Sequence, residues 1–251
     1  MKFTDGNWLV REGYEIHFPK LIHEVEEIDG SVTLYAPCKY LNHRGDTLDG
    51  PVLTIKISSP VDEVIRVETW HFKGGKAKYP NFAISDQQNS IALEENEEFV
   101  SFTSGTLRLR MSKQNFALSF ENANGRLTDA DGKGLAWIDG PTNKTYMRGQ
   151  LRLGVGEHLY GLGERFTPFV KNGQSVDIWN KDGGTSSEQS YKNIPFYLSS
   201  KGYGVFVNHP EEVSYELGSE TVSRAQFSVE GEYLDYYFIN GPSPKEVVSR
   251  Y

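Results

Sequence analysis

The sequence predicts an all-β protein, a large antiparallel β-sandwich that ends in one short helix. Apolar and polar residues alternate with a period of two along most of the chain, which is typical of strands with one buried face. Gly, Pro, Asn and Asp interrupt this alternation at short intervals and rarely leave room for a helical pattern. The 251 residues are enough for two large sheets packed face to face, and no internal repeat predicts a propeller or a solenoid.

The first well-marked strands lie in the N-terminal half of the chain. Two of them present every second residue to a core, namely Leu53, Ile55 and Ile57 in one and Ile65, Val67 and Thr69 in the other. A third strand covers Thr106–Met111, where three apolar residues alternate with Thr106 and two arginines. Phe116, Leu118 and Phe120 continue the alternation, and Asn122–Gly125 then supplies turn residues.

The C-terminal half predicts further strands and then a helix. Ile194–Ser199 and Tyr203–Asn208 flank Ser200–Gly202, an arrangement that favours a hairpin. A strand through Ala225, Phe227 and Val229 and another over Tyr233–Ile239 follow. Ser243, Pro244 and Glu246 then match a helix N-cap, a proline at the first helical position and the glutamate of a capping box, and Val247 begins an apolar stripe.

Composition and charge exclude several classes of function. The formal net charge is −8, whereas nucleic-acid binding needs a basic face, so we expect no nucleic-acid partner. No stretch approaches the ~20 apolar residues of a membrane span, and no apolar run follows Lys2, so we expect neither a membrane anchor nor a signal peptide. Cys38 is the only cysteine and cannot form an internal disulfide, which favours a reducing, cytoplasmic location.

Signatures of catalysis are scarce. The chain has no nucleophile elbow, no phosphate-binding glycine loop and no paired-cysteine motif. Its six histidines are scattered, and no two of them have metal-ligand spacing: His17, His23, His43, His71, His158 and His209. We therefore expect no metal site.

The segment Leu153–Pro195 is the most informative for function. It contains four glycines within residues 154–163, which indicates tight bends or close backbone approach. Trp179–Asp182 then combines an aromatic ring, an amide, a cation and a carboxylate before the Gly183–Gly184 pair. Such a mixture suits a sugar, whose hydroxyls form directed hydrogen bonds with carboxylates and amides and whose apolar face can lie on an indole. The same residues are good turn formers, and a core position is the alternative for Trp179, so both interpretations stay open.

Four motifs of this region, taken in order, resemble the N-terminal domain of family 31 glycoside hydrolases, and in particular bacterial α-xylosidases. The motifs are Tyr160–Phe166 (YGLGERF), Trp179–Thr185 (WNKDGGT), Tyr191–Tyr197 (YKNIPFY) and Tyr203–Pro210 (YGVFVNHP). The opening Asp5–Leu9 and the closing Gly241–Tyr251 (GPSPKEVVSRY) are similar too, so the resemblance spans nearly the whole chain.

The resemblance implies a fold and a reaction. Residues 1–240 would form a β-supersandwich like that of galactose mutarotase, and residues 241–251 would begin the helix that connects it to a (β/α)₈ catalytic barrel. The intact enzymes release terminal α-linked sugars, here α-xylosyl units, with retention of configuration through two barrel aspartates. Both aspartates would lie beyond Tyr251, so no catalytic residue is expected in this chain, which alone would be inactive. No metal and no organic cofactor is implied.

One functional loop is implied within the chain. In the family, a loop of the sandwich, here about residues 164–190, reaches the sugar pocket of the barrel, and its aspartate contacts bound sugar. By motif this residue is Asp182. Lys181 stands where many relatives have arginine, and lysine keeps the positive charge but lacks the planar guanidinium that could bind in a bidentate way. Trp179 is expected to wall or support the loop. The expected partners are an α-xyloside or another α-glycoside, bound through the full-length enzyme, and the protein's own barrel.

Two alternatives remain open at the level of sequence. A stand-alone sugar mutarotase or epimerase would need a histidine acid and a carboxylate base facing one pocket, for which His158, His209, Glu157 and Glu164 are the candidates. A non-catalytic carbohydrate-binding module is the other alternative. Exposure of the face that would pack on a barrel also makes self-association into a homo-oligomer an expectation.

Overall fold

A computed structural model describes residues 1–6, 8–48, 50–75, 80, 84, 89, 91–181 and 189–251 of the protein. Within these residues the chain forms 21 strands, distributed along its whole length, and one α-helix at its C-terminal end. The first strands are β1 (Thr4–Asp5), β2 (Leu9–Val10), β3 (Glu15–His17), β4 (Glu24–Ile28), β5 (Ser31–Pro37), β6 (Val52–Ser58) and β7 (Val64–Trp70). The next are β8 (Ala92–Glu95), β9 (Phe99–Ser104), β10 (Leu107–Ser112), β11 (Leu118–Asn122), β12 (Gly125–Ala130), β13 (Leu135–Asp139) and β14 (Thr145–Arg152). The last are β15 (Leu159–Gly161), β16 (Gln174–Ile178), β17 (Phe196–Ser199), β18 (Tyr203–Val207), β19 (Val213–Leu217), β20 (Arg224–Glu230) and β21 (Tyr233–Asn240), followed by α1 (Pro244–Arg250).

The strands form three main sheets, and all of their paired strands are antiparallel. The largest has eight strands in the order β15-β17-β18-β21-β7-β6-β5-β4. The second has six strands, β16-β19-β20-β14-β13-β3, and the third has five, β12-β11-β10-β9-β8. A two-stranded ribbon, β1-β2, lies near the N-terminus. The all-β fold predicted from the alternation is confirmed.

The three sheets enclose one hydrophobic core arranged in two layers. The rings of Phe120 and Phe238 stack with centroids 3.8 Å apart and so join the five-stranded sheet to the eight-stranded one. The ring of Phe227 in the six-stranded sheet packs on that of Tyr236 in the eight-stranded sheet, with the ring centroids 5.1 Å apart. The eight-stranded sheet therefore forms one layer, and the five- and six-stranded sheets together form the other. The expectation of two layers packed face to face holds, but one layer consists of two sheets instead of one. Thr128 bridges those two sheets by donating a hydrogen bond to the Arg152 carbonyl at 2.8 Å.

The faces of β10 follow the predicted alternation. Leu107, Leu109 and Met111 are buried, whereas Arg108 and Arg110 are exposed. Phe116 was expected to extend β11 but lies outside it, with φ of 57° in the turn before the strand. Its side chain is fully buried. Burying a phenylalanine stabilises a fold by roughly 1.5–3 kcal/mol, which offsets the cost of about 1–3 kcal/mol for a left-handed residue.

The predicted hairpin between β17 and β18 is present, although β17 begins two residues later than expected, at Phe196. Pro195 has no N–H and cannot donate to the sheet, so only its carbonyl takes part, accepting from the Val207 amide at 2.8 Å. The hairpin places the YKNIPFY and YGVFVNHP motifs side by side.

Helix α1 packs on the outer face of the eight-stranded sheet. Ser243 is its N-cap and accepts a hydrogen bond from the Glu246 amide, and Pro244 occupies the first turn, as the sequence predicts. Val247 is fully buried against Phe196 and Phe206 of the sheet, in a small second apolar cluster. No helix among the described residues combines the length and the apolar character that a membrane crossing requires.

Candidate functional site

Two glycines set the path of the chain as it enters the candidate loop. A Cβ on Gly161 would lie 2.6 Å from the Phe196 carbonyl oxygen, and one on Gly163 would lie 1.9 Å from the Lys192 carbonyl oxygen. Both glycines also have positive φ, of 104° and 87°. The Leu162 amide donates to the Phe196 carbonyl at 2.9 Å in the same contact. The glycines of the YGLGERF motif therefore permit close backbone packing, as the sequence indicated.

The candidate sugar-contact residues follow the end of β16. Val176 and Ile178 point into the core, after which Trp179 is 49% exposed and Lys181 is exposed. The core interpretation of Trp179 is therefore wrong, because about half of its side chain faces solvent. Asp182 and the other residues of segment 182–188 lie outside the described residues.

The chain returns beside the point at which it left. Asn180 and Ser190 form an isolated parallel bridge, and Ser190 donates from its hydroxyl to the Glu164 carbonyl at 2.5 Å. Lys192 pairs at the surface with the Glu164 carboxylate at 2.9 Å. The YGLGERF, WNKDGGT and YKNIPFY motifs, which are separate in sequence, thus meet at one place on the molecule.

Exposed aromatic side chains lie close to this place. Phe166 and Tyr191 are largely exposed, and Phe169 is exposed while its ring lies 5.2 Å from that of Tyr160. The sequence did not single out these rings, because an isolated aromatic residue is more often part of a core. Exposed rings beside a polar loop are typical of surfaces that bind sugars or another domain.

Lys171 is an unexpected buried cation in the same region. Its side chain is almost fully buried, and its amino group donates to the Thr167 hydroxyl at 3.0 Å and to the Pro168 carbonyl at 2.8 Å. Burial lowers the pKa of Lys171, and the positive charge of Arg165 lowers it further. Its hydrogen bonds tie together the loop between β15 and β16. Nothing in the sequence distinguishes this lysine from an exposed one.

Glu157 has a structural role. Its buried carboxylate accepts hydrogen bonds from the Ser199 hydroxyl at 2.5 Å, the Tyr203 hydroxyl at 2.6 Å and the Gly154 amide at 2.7 Å. Lys201 lies 3.4 Å from the same carboxylate. Burial raises the pKa of Tyr203 well above its usual value, and the negative charge of Glu157 acts in the same direction. With its oxygens occupied and buried, Glu157 cannot serve as an accessible base.

The histidines do not converge with the carboxylates that a mutarotase would need. His209 is buried, accepts a hydrogen bond from the Asp235 amide at 3.0 Å and lies 3.1 Å from Glu211. His158 is exposed. Among the described residues, no hydrogen bond or ion pair joins either histidine to Glu157 or Glu164. Within the same part of the chain, no group of three His, Cys, Asp or Glu side chains could hold a metal ion.

The comparison with protein families decides the assignment. Residues 54–216 match the model of the glycosyl hydrolase 31 N-terminal galactose mutarotase-like domain. The chain belongs to this family.

Relatives of this glycosyl hydrolase 31 domain include two α-xylosidases. The chain is 48% identical to "Alpha-xylosidase XylQ" of Lactiplantibacillus pentosus, and the match covers 100% of this chain and 33% of that protein. It is 41% identical to an α-xylosidase of Emericella nidulans, and that match covers 100% of this chain and 35% of that protein. The chain thus spans about a third of the length of the curated relatives it matches.

Solved structures share the fold. A cycloalternan-forming enzyme from Listeria monocytogenes, in complex with a pentasaccharide substrate, superposes with a TM-score of 0.77 at 19% identity over 94% of this chain and 22% of that one. A GH31 α-xylosidase from a soil metagenome, complexed with xylose, superposes with a TM-score of 0.65 at 15% identity over 89% and 33%. At these identities the likeness establishes the sandwich architecture alone.

Proposed function

We propose that a longer protein containing this chain is a retaining α-xylosidase that hydrolyses terminal α-linked xylosyl residues, and that residues 1–251 are its non-catalytic N-terminal domain. The observation that carries the proposal is the 48% identity to an α-xylosidase over the full length of the chain. The second α-xylosidase, at 41% identity, supports the same substrate class. The bond-breaking carboxylates of a retaining glycosidase would then lie in another part of the longer protein.

The division of labour within that protein is part of the proposal. Residues 1–240 form the sandwich, and residues 241–251, with α1, begin the connection to a (β/α)₈ catalytic barrel. The outward side of α1 supports this assignment, because Val248 and Tyr251 remain about half exposed although Val247 is buried. Apolar side chains exposed in this way suit contact with a further domain. The single cysteine, Cys38, supports a cytoplasmic location for the enzyme, since it has no partner for an internal disulfide.

We assign the sugar contact of this domain to the loop that follows β16. Asp182 would accept hydrogen bonds from substrate hydroxyls, Lys181 would lie beside it as a cation, and Trp179 would support the loop. The exposure of Trp179 and Lys181 supports the assignment, since both side chains are available on the surface from which the loop starts. A hydrogen bond to a charged acceptor contributes about 1.5–3 kcal/mol.

The test measures hydrolysis of an aryl α-xyloside and an aryl α-glucoside by the longer enzyme and by residues 1–251 alone. We expect the longer enzyme to prefer the xyloside and the chain alone to give no turnover above the spontaneous rate. Asp182→Ala in the longer enzyme should lower kcat/KM about tenfold or more. Asp139→Ala is the control, because Asp139 is an exposed carboxylate on β13, four strands away from β16 in the same sheet. Turnover by the chain alone, or equal kinetics for the two variants, would contradict the proposal.

A further inference from the structure

The chain on either side of residues 182–188 is joined by very little backbone pairing. Asn180 and Ser190 form one isolated parallel bridge, and the Lys181 amide donates to the Ser190 carbonyl at 3.3 Å. Parallel segments cannot be joined by a tight hairpin turn, so this junction differs from the closed end of a β-hairpin. We call Asn180, Lys181, Ser190 and Asn193 the neck. Side chains add further contacts across it.

One side chain, that of Asn193, ties both arms of the neck together. Its amide nitrogen donates to the Asn180 side-chain oxygen at 2.8 Å and to the Ser190 carbonyl at 2.7 Å. Its amide oxygen accepts a hydrogen bond from the Arg165 guanidinium. The two polar atoms of one side-chain amide therefore have different roles. The nitrogen joins the two arms of the neck, and the oxygen connects the neck to the YGLGERF motif.

Arg165 anchors the neck to the rigid part of the fold. Its guanidinium also donates to the Leu162 carbonyl at 3.0 Å and to the Asp177 carbonyl at 2.9 Å. Leu162 is fully buried, and Asp177 belongs to β16, so both acceptors are held by the sandwich. Only a planar group with several fixed donors can reach the three oxygens of Leu162, Asp177 and Asn193 together.

We propose that Arg165 and Asn193 are positioning residues for the sugar-binding loop, because they lock the neck from which residues 182–188 extend. This inference rests on the proposed function, in which Asp182 of that loop contacts substrate. A fixed neck reduces the conformational entropy that the loop loses when sugar binds. Small misplacements of a binding group lower rates by as much as about a hundredfold, so the neck sets how well the loop works.

The experiment is a double-mutant cycle in the longer enzyme, with kcat and KM measured on an aryl α-xyloside. We expect Asn193→Ala to lower kcat/KM about tenfold or more, and Arg165→Lys, which keeps the charge and loses the planar fork, to do the same. In an Asp182→Ala background, each change should alter kcat/KM less than about twofold, since a misplaced loop without its carboxylate has little more to lose. The matched control is Lys192→Ala, because Lys192 adjoins Asn193 and its side chain forms an exposed ion pair with Glu164, which the substitution removes while the backbone contacts of Lys192 remain.

A second readout is independent of activity. Amide hydrogen exchange at Lys181 should become faster in Asn193→Ala and stay unchanged in Lys192→Ala, while the midpoint of thermal unfolding moves little in both. Full additivity with Asp182→Ala, or unchanged exchange at Lys181, would overturn the positioning role. If Asp182→Ala itself leaves kcat/KM unchanged, the loop assignment fails and this inference fails with it. If Asp182→Ala lowers kcat/KM but Asn193→Ala and Arg165→Lys leave it unchanged, the inference about the neck fails and the loop assignment stands.

Discussion

Glu157 shows how a single buried carboxylate can fix a local geometry that the sequence leaves undefined. From the sequence, Glu157 was, with Glu164, a candidate carboxylate base of a mutarotase. In the structure it joins the turn at Gly154 to the β17–β18 hairpin through Ser199 and Tyr203. A buried carboxylate that accepts several hydrogen bonds is stabilising only while its donors remain in place.

Replacing this carboxylate by an amide should therefore destabilise the domain. Glu157→Gln puts an NH₂ group where a carboxylate oxygen now accepts hydrogen bonds, so at least one buried donor loses its acceptor. We expect the free energy of unfolding, measured by urea denaturation, to fall by about 2–3 kcal/mol. Glu164→Gln is the matched control, since the exposed Glu164–Lys192 pair should contribute less than about 1 kcal/mol. Equal losses in the two variants would show that the Glu157 network is not stabilising.

At the scale of elements, α1 forms because tertiary packing supports it. The helix has seven residues, too few to be stable in water by itself. Its N-cap and proline select where it starts, and the burial of Val247 in the cluster with Phe196 and Phe206 holds it on the sheet. Tyr251 adds to this contact, because its ring stacks on that of Phe196 with centroids 4.4 Å apart.

The neighbouring valines of α1 provide a direct test of this packing. Val247→Ala removes two buried carbon atoms, and we expect the free energy of unfolding to fall by about 1–2 kcal/mol. Val248→Ala removes the same atoms from a side chain that is 53% exposed, and it should change stability by less than about 0.5 kcal/mol. Denaturant unfolding of both variants decides the matter. Loss of stability in Val248→Ala that matches Val247→Ala would mean that α1 is oriented differently.

At the scale of the whole molecule, the continuous core makes the three sheets one cooperative unit. Phe120 lies in the five-stranded sheet and Phe238 in the eight-stranded sheet, and their rings are nearly parallel, 4° apart. The six-stranded sheet joins the same core through Phe227. The largest apolar cluster thus contains residues of all three sheets, and we expect a single unfolding transition.

Phe120→Ala tests this cooperativity. We expect it to lower the free energy of unfolding by about 3–5 kcal/mol and to shift the transitions seen by circular dichroism and by tryptophan fluorescence together. Phe99→Ala is the control, since Phe99 lies on the same sheet but stacks under Arg110 on its outer face, 3.9 Å from the guanidinium carbon. We expect Phe99→Ala to lower the free energy of unfolding by less than half as much as Phe120→Ala does. Two separate transitions in Phe120→Ala would show that the five-stranded sheet unfolds independently.

The amino-acid sequence determined the strands, the hairpin and the capped helix, because each depends on residues that are close together in the chain. Alternation over Leu107–Met111 fixes which face is buried, and Ser243 and Pro244 mark where α1 starts. Only the tertiary structure decided how the candidate site is held. Arg165 and Asn193 are 28 residues apart and lie in different motifs, and no periodicity or spacing in the sequence connects them. Their contact arises because Gly161 and Gly163 let two backbones pass within van der Waals distance, and such long-range packing is a property of the whole fold.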